Sequence, residues 1–571
     1  MSRIIPIKIF IAFIFCFTAL QEGKAQIFSK KIYSKNYFAW PLDARIEIVA
    51  NFGELRPNHY HMGLDCRTEQ RENMPVLASA DGYIAKVKVE PFGFGRSLYL
   101  NHPNGLTTVY AHLNKFEDAL EKYVTDKQYE LKQWSIYIDI PEDLFPVKQG
   151  DFIANSGNTG SSQGPHTHFE IRETKTEKCL NGLMFGLPID DEIDPEITRL
   201  AVYDRSISTY DQSPKFYSLR KVNGEYEIVG GKVFAPSSRV SFALTMYDRT
   251  KVGGGPEGVY AAAVLDNENQ ISRFELDSIS YSETRYFNAH IDYKMKANGG
   301  PYVQHLSPLP GYLNKIYTTD KNNGVVVLKD SNSHAIKIIV SDANGNMSFL
   351  KFNLIPAKFE PAKKTYPSTQ KFVPNYINIF ENNNIKFYMP EGTIYDTINF
   401  TFKEFPSATG KNIYQLHNSS IPVHSNYPIS IRESFAVEDT GKIVMKRVTG
   451  SKQGYAKANY KNGWYTASFR DFGSFQLLID REPPTISAIG FRNGMNATNA
   501  SRIIFRVRDN TENVASFVAL LDGNWLRFTN DKGGSFIYNF DERCEPGEHE
   551  LKIIATDQVG NKTEQVYTFT R

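Results

Sequence analysis

The sequence predicts a mainly β protein of several domains. A small antiparallel sheet with a helical insertion comes first, followed by β-sandwiches. Three observations lead there. At 571 residues the chain is several times one domain's usual length, enough for roughly three to five domains. Aromatic residues make up 13% of it, and 39 Gly and 28 Pro punctuate it, a balance that favours strands and turns. Apolar–polar alternation recurs along most of its length, while few stretches carry a long helical pattern.

Residues 1–25 read as a leader rather than as structure. Arg3 and Lys8 form a basic start, Ile9 to Leu20 an apolar core of twelve residues, and Gly23-Lys24-Ala25 a small-x-small cleavage site before Gln26. So short a core cannot cross the roughly 30 Å of bilayer hydrocarbon, and no other stretch is long and apolar enough, so export without a stable membrane span is expected. Cys16 would suit lipidation, but Ile14 and Phe15 before it are too bulky for such a site.

Residues 27–45 read as a lead-in that packs on the next domain. Strand patterns then cover 46–52, 82–89, 97–100, 107–110, 135–140 and 147–154, with Asp81-Gly82 and Asn104-Gly105 as turns, the second closing a hairpin. Phe116, Leu120, Tyr123, Leu131 and Trp134, set among Glu and Lys, break that habit and read as one or two helices over 115–134. Such an insertion either walls a groove or packs.

Beyond residue 198 the patterning is β-rich and repetitive. Ile338 to Asn346 is echoed by Ile553 to Asn561, each an apolar strand running into an Asp-x-x-Gly-Asn turn. Such a hairpin resembles the last one of bacterial immunoglobulin-like domains, so immunoglobulin-like β-sandwiches are expected over 199–358 and 481–571, with a further β-sandwich over 359–480 and Asp480-Arg481-Glu482-Pro483-Pro484 as a stiff linker. One Asp per turn offers too few oxygen ligands for calcium, so both are read as turns. A net charge of +2, from 65 basic and 63 acidic residues, gives no case for nucleic acid as a partner.

The mature chain holds Cys66, Cys179 and Cys544, hence at most one internal disulfide. In an extended strand Cys66 points away from the face of Asp65. A Cys66–Cys179 bridge and a pair of buried thiols both remain open.

Histidine carries the chemistry. Of twelve in the chain, His59, His61, His102, His112, His166 and His168 crowd one stretch, while the other six are scattered singly. On a strand, His166 and His168 share a face roughly 7 Å apart, so only one suits a given metal and its neighbour is free to act on substrate. With His61 and Asp65 this makes two histidines and one carboxylate, the open three-ligand set of a catalytic zinc. His59 suits the mouth of a groove better than a fourth ligand position. His102, just before Pro103-Asn104-Gly105, is expected to be exposed. Glu170 shares the face of His168; a plain salt link is favoured over a role as acceptor for that histidine.

His61-x3-Asp65, Val109-Tyr110-Ala111-His112-Leu113, Ser156-Gly157-Asn158-Thr159-Gly160 and Gly164-Pro165-His166-Thr167-His168-Phe169-Glu170, in this order, resemble the lysostaphin/LytM-type zinc endopeptidase family. The resemblance covers about residues 40–190. It implies an antiparallel β-fold with a long groove over 26–198, and one Zn2+ per chain on His61, Asp65 and His168. It also implies His112 and His166 as an unliganded catalytic pair, and cleavage of cross-links or stem peptides of bacterial peptidoglycan in the periplasm or outer envelope. A non-catalytic LytM-like scaffold that activates another wall hydrolase is the rival reading; retention of all five residues speaks against it. Residues 200–571 lack clustered catalytic residues and are expected to position the enzyme and meet an envelope protein partner. A chain cut after about residue 195 is then expected to keep its activity on soluble peptides.

Overall fold

A computed structural model describes residues 27–28, 31, 33–250, 255–357, 368–407 and 410–571. The expected leader, its cleavage site and Cys16 lie outside the described residues.

The strand His166–Glu173 is the centre of the first sheet. It pairs antiparallel with Leu64–Arg67 on one side and Leu106–Ala111 on the other. The order continues outward to Ile48–Ala50 at one edge, and through Arg96–Asn101 and Gly82–Val89 to Ile136–Asp139 at the other. Register decides what meets what: His168 lies opposite both Asp65 and Ala111, so the residue after Ala111, His112, arrives at the same place. The two-residue period then sends Thr167, Phe169 and Ile171 the other way. Phe169 and Ile171 join Leu64, Cys66, Leu98, Leu100 and Tyr110 in a core that Val76, Ile153, Ala154 and Phe116 of a second, three-stranded sheet close over. Cys66 thus faces the core and Asp65 the opposite side; Cys66 and Cys179 are both buried free thiols.

One helix, Asp118–Leu131, fills the expected insertion. The Glu117 side chain accepts from the backbone of Ala119 and Leu120, and Asp118 and Glu121 set negative charge against the positive helix start. Leu120 and Val124 are buried in the core, each contributing about 1.5–3 kcal/mol. The C-terminal half of the helix carries the last sandwich: Trp525 packs on Tyr129, Arg543 lies over the Tyr129 ring, and Arg527 donates to the Gln128 amide oxygen. The insertion is therefore a packing platform.

Next comes an eleven-stranded sheet folded into two layers. Lys215–Val222 belongs to both layers, pairing with Glu196–Asp204 through its first half and with Glu225–Phe234 through its second. Phe242 and Leu244 face Ile336, Ile338, Leu350 and Phe352 across the core. Two five-stranded sheets follow, one centred on Pro422–Arg432 and Trp464–Asp471, the other on Gly473–Ile479. A three- and a five-stranded sheet, the latter with the hairpin Glu548–Asp557 and Lys562–Thr570, end the chain.

The first two units interlock. Ser278–Ile279 pairs with Cys179–Leu180 and so extends the first sheet from outside 26–198. Phe52, Tyr60, Met62 and Cys179 are buried in the core of the following sandwiches rather than in that of their own sheet. Glycine is required at position 63 by close approach, because a Cβ there would meet the Phe169 carbonyl oxygen at 2.4 Å.

Candidate metal centre and active site

Four histidines converge, and in each one ring nitrogen is already committed. His61 donates from Nδ1 to the Asn51 carbonyl (2.8 Å), which leaves the Nε2 lone pair facing Asp65 Oδ1 at 2.9 Å and His168 Nδ1 at 3.0 Å. His168 donates from Nε2 to Glu170 Oε1 (2.9 Å), which leaves Nδ1 facing Asp65 Oδ1 at 2.9 Å. Asp65 keeps its other oxygen, Oδ2, on Arg56 at 3.0 Å. With these tautomers three acceptor atoms face one another with no proton between them. A buried arrangement of that kind calls for a cation.

Charge points the same way. Burial works against a charged His168, yet hydrogen bonds to Asp65 and Glu170 outweigh it and lift its pKa to about 9, so without a metal the site draws a proton onto Nδ1 instead. His61 goes the other way, held down by burial. Burial also disfavours ionised Asp65, but His61, His166 and His168 together keep it well below the ordinary carboxylate range. These two imidazole nitrogens and one carboxylate oxygen, with a cavity beside them, could hold a metal ion, and they are donor types that zinc accepts with a position left open.

His112 follows the strand Leu106–Ala111 in a left-handed conformation, φ 63°. Holding a non-glycine residue there costs about 1–3 kcal/mol. Two hydrogen bonds fix it, from its backbone N–H to the Phe94 carbonyl and from Nδ1 to the Thr159 carbonyl, each 2.9 Å. Burial, then its neighbours His166 and His168, lower its pKa to about 3, so it is a neutral base. His166 donates from Nδ1 to the Gly164 carbonyl at 2.8 Å. Its Nε2 comes within 3.4 Å of Asp65 Oδ1, and its ring centroid lies 4.8 Å from that of His112. The two strand histidines therefore converge on Asp65 instead of staying a strand repeat apart, because His168 reaches with Nδ1 and His166 with Nε2.

Other sequence expectations need correction. Glu170 is no plain salt link: fully buried, it accepts from His168 through Oε1 and from Arg172 through Oε2. His102 is buried, not exposed, bridging the Asp81 carbonyl and Thr108. His59, by contrast, stays off the cluster and lines the mouth as expected, its Nδ1 bonded to the Pro57 carbonyl.

Two residues that sequence reasoning missed complete the surroundings. Arg56 carries a local signal, five positions before His61. Tyr281 carries none: it comes from the following sandwich, donates to Glu170 Oε1 and lines the same cavity. Residues beyond 200 thus reach the site directly. The cavity, about 710 Å³, is framed by Arg56, His59, Phe94, the 161–166 loop and Tyr281, with no residue of the helix.

Residues 59–129 match Peptidase family M23. The chain carries a peptidase family M23 domain. Residues 486–570 match a Bacterial Ig-like domain and residues 369–480 a Zu5-like domain. The M23 region is 31% identical over 161 residues to the Cell division protein DipM of Caulobacter vibrioides, covering 28% of this chain and 22% of that protein. It is 34% identical over 112 residues to the DD-carboxypeptidase/endopeptidase Mpg of Neisseria meningitidis, 20% of each. The chain therefore spans only about a fifth of the length of these two relatives. Among solved structures, the catalytic domain of lysostaphin from Staphylococcus simulans aligns at 21% identity over 24% of this chain and 91% of that one, with a TM-score of 0.19. Among the described residues, no helix is long and apolar enough to cross a membrane.

Proposed function

We propose that this chain is an exported zinc endopeptidase that hydrolyses peptide cross-links or stem peptides of bacterial peptidoglycan. The observation that carries the reading is the set of three facing acceptors on His61, Asp65 and His168, with two more histidine nitrogens beside it.

Zinc held there would supply Lewis acidity to a scissile carbonyl and to water. The protein does the rest. Arg56, gripping Oδ2, fixes the plane in which Asp65 offers Oδ1. Glu170 locks the His168 tautomer and turns its ring, and Arg172 and Tyr281 hold Glu170 in turn. His112, neutral and with Nδ1 committed to Thr159, presents Nε2 to take a proton from water. His166, its Nδ1 tied to Gly164, presents its other nitrogen to orient that water and to return a proton to the leaving amine. The cavity, about 710 Å³, has room for part of a peptide beside these groups.

Export rests on the leader at residues 1–25 and places the substrate in the periplasm or outer envelope. The sandwiches then present the enzyme to the wall or to an envelope protein. Digestion of purified sacculi with the zinc-loaded mature protein, and mass analysis of the products, tests the reading. Cut cross-links or shortened stem peptides are expected; intact sacculi and intact soluble muropeptides would refute it.

A further inference from the structure

A second cluster of acids lies outside the histidine centre. Asp191 follows the first unit, Asp248 follows the strand Arg239–Tyr247, and Asp342 begins the turn of the hairpin His334–Ser341 and Met347–Ile355. One carboxylate oxygen from each lies within 4.8 Å of the others, and Asp248 and Asp342 are only 3% and 2% exposed. Asp342 is a turn residue as expected, since its Oδ1 accepts from the backbone of Asn344, Gly345 and Asn346. What the sequence hides is that two distant aspartates join it. Among the described residues, the matching turn at Asp557 gathers no such group.

A second observation points to a ligand. Asp248 Oδ1 is buried with no hydrogen-bond partner. Glu257 sits directly opposite Asp248 across an antiparallel bridge, so their side chains share a face, and Glu257 Oε2 is likewise buried and unpartnered. A carboxylate oxygen left dry and unbonded forfeits its hydration with nothing in return. Among the described residues, the bases Arg249 and Lys221 pair with Glu196 and Asp194. Without a cation the acids suffer: burial first, then neighbouring carboxylates, push Asp248 up to about 8, and burial pushes Glu257 up to about 7.

We propose that Asp191, Asp248, Glu257 and Asp342 form a calcium site that clamps the linker after the peptidase domain to the following sandwich. An all-oxygen donor set rich in carboxylates suits a hard cation and not zinc, which prefers nitrogen and sulfur. Calcium accepts irregular multi-carboxylate shells, whereas magnesium demands near-octahedral order and keeps its waters. Asp191 is partly exposed and gives the ion a way in. The linker is already tied there by Asn346 Nδ2 to the Asp191 carbonyl and Ser348 Oγ to the Pro195 carbonyl.

The test uses the full mature protein, zinc-loaded and freed of calcium with a calcium-selective chelator. Calorimetric titration should show one calcium bound per chain and a raised thermal midpoint, with zinc content unchanged. Asp248→Asn and Glu257→Gln, which remove repulsion and so should fold, are expected to weaken calcium binding at least tenfold while keeping one zinc. No calcium uptake by the wild type up to ~10 mM, beyond the ~1 mM weak end of extracellular calcium modules, would overturn the proposal. So would unchanged calcium affinity in both variants, or an equal response to magnesium.

Discussion

His168 Nε2 lies 2.9 Å from Glu170 Oε1, and this contact decides which face of the imidazole is available. With the Nε2 proton given to a buried carboxylate, Nδ1 is left as the only lone pair, aimed at Asp65 and His61. Arg172 keeps Glu170 ionised against the penalty of burial, so the pairing is stable at neutral pH.

Glu170→Gln should therefore weaken zinc binding by about 10–100-fold, because the amide can present the wrong group to Nε2. Competition with a chromogenic chelator measures this. Wild-type zinc affinity in the variant would show that the contact does not orient the ligand.

A chain cut after about residue 195 is expected to fail in folding, contrary to what the lack of catalytic residues beyond 200 suggests. The cut removes the paired strand Ser278–Ile279 and Tyr281, and strips cover from Phe52, Tyr60, Met62 and Cys179. Each fully buried apolar side chain is worth about 1.5–3 kcal/mol, a large share of a domain's stability. Expression and circular dichroism check this; a soluble, zinc-loaded fragment would contradict it.

How far the sequence can be read follows from the range of each signal. The strands around His166–Glu173, the helix after Lys115 and the histidine cluster rest on local periodicity and spacing, and are legible. Tyr281, Asp191 and Asp248 are not, because they reach their partners across more than 50 residues with no motif of their own. Glu170 is visible as a neighbour of His168 on one strand face, but its role depends on Arg172, Tyr281 and complete burial. The exposure expected of His102 fails because its turn is covered by Phe38 of the lead-in segment.

Acid should loosen the sandwich that follows the peptidase domain. Burial lowers His290 to about 4 and His305 to about 3. A histidine with a depressed folded pKa is protonated first in the unfolded chain, so stability is full above the ordinary pKa of about 6.5 and falls as pH drops toward 4. Each tenfold loss of proton affinity on folding is worth at most about 1.4 kcal/mol. Denaturant unfolding at pH 7 and pH 5 should show the weakening, and His290→Gln, which cannot take up the proton, should flatten it. An equal slope in that variant would remove His290 as a source of the pH dependence.

His61, Asp65 and His168 hold zinc in the proposed mechanism, while His112 and His166 act on substrate. The most direct measurement is zinc content and turnover of cross-linked muropeptides, side by side, in the wild type, His112→Ala, His166→Ala and His168→Ala. Zinc and hydrolysis are expected in the wild type, and loss of zinc in His168→Ala. In His112→Ala and His166→Ala, zinc should be retained with turnover down by about 10²–10⁴-fold. Hydrolysis at the wild-type rate in His112→Ala and His166→Ala, or stoichiometric zinc in His168→Ala, would contradict this division of roles.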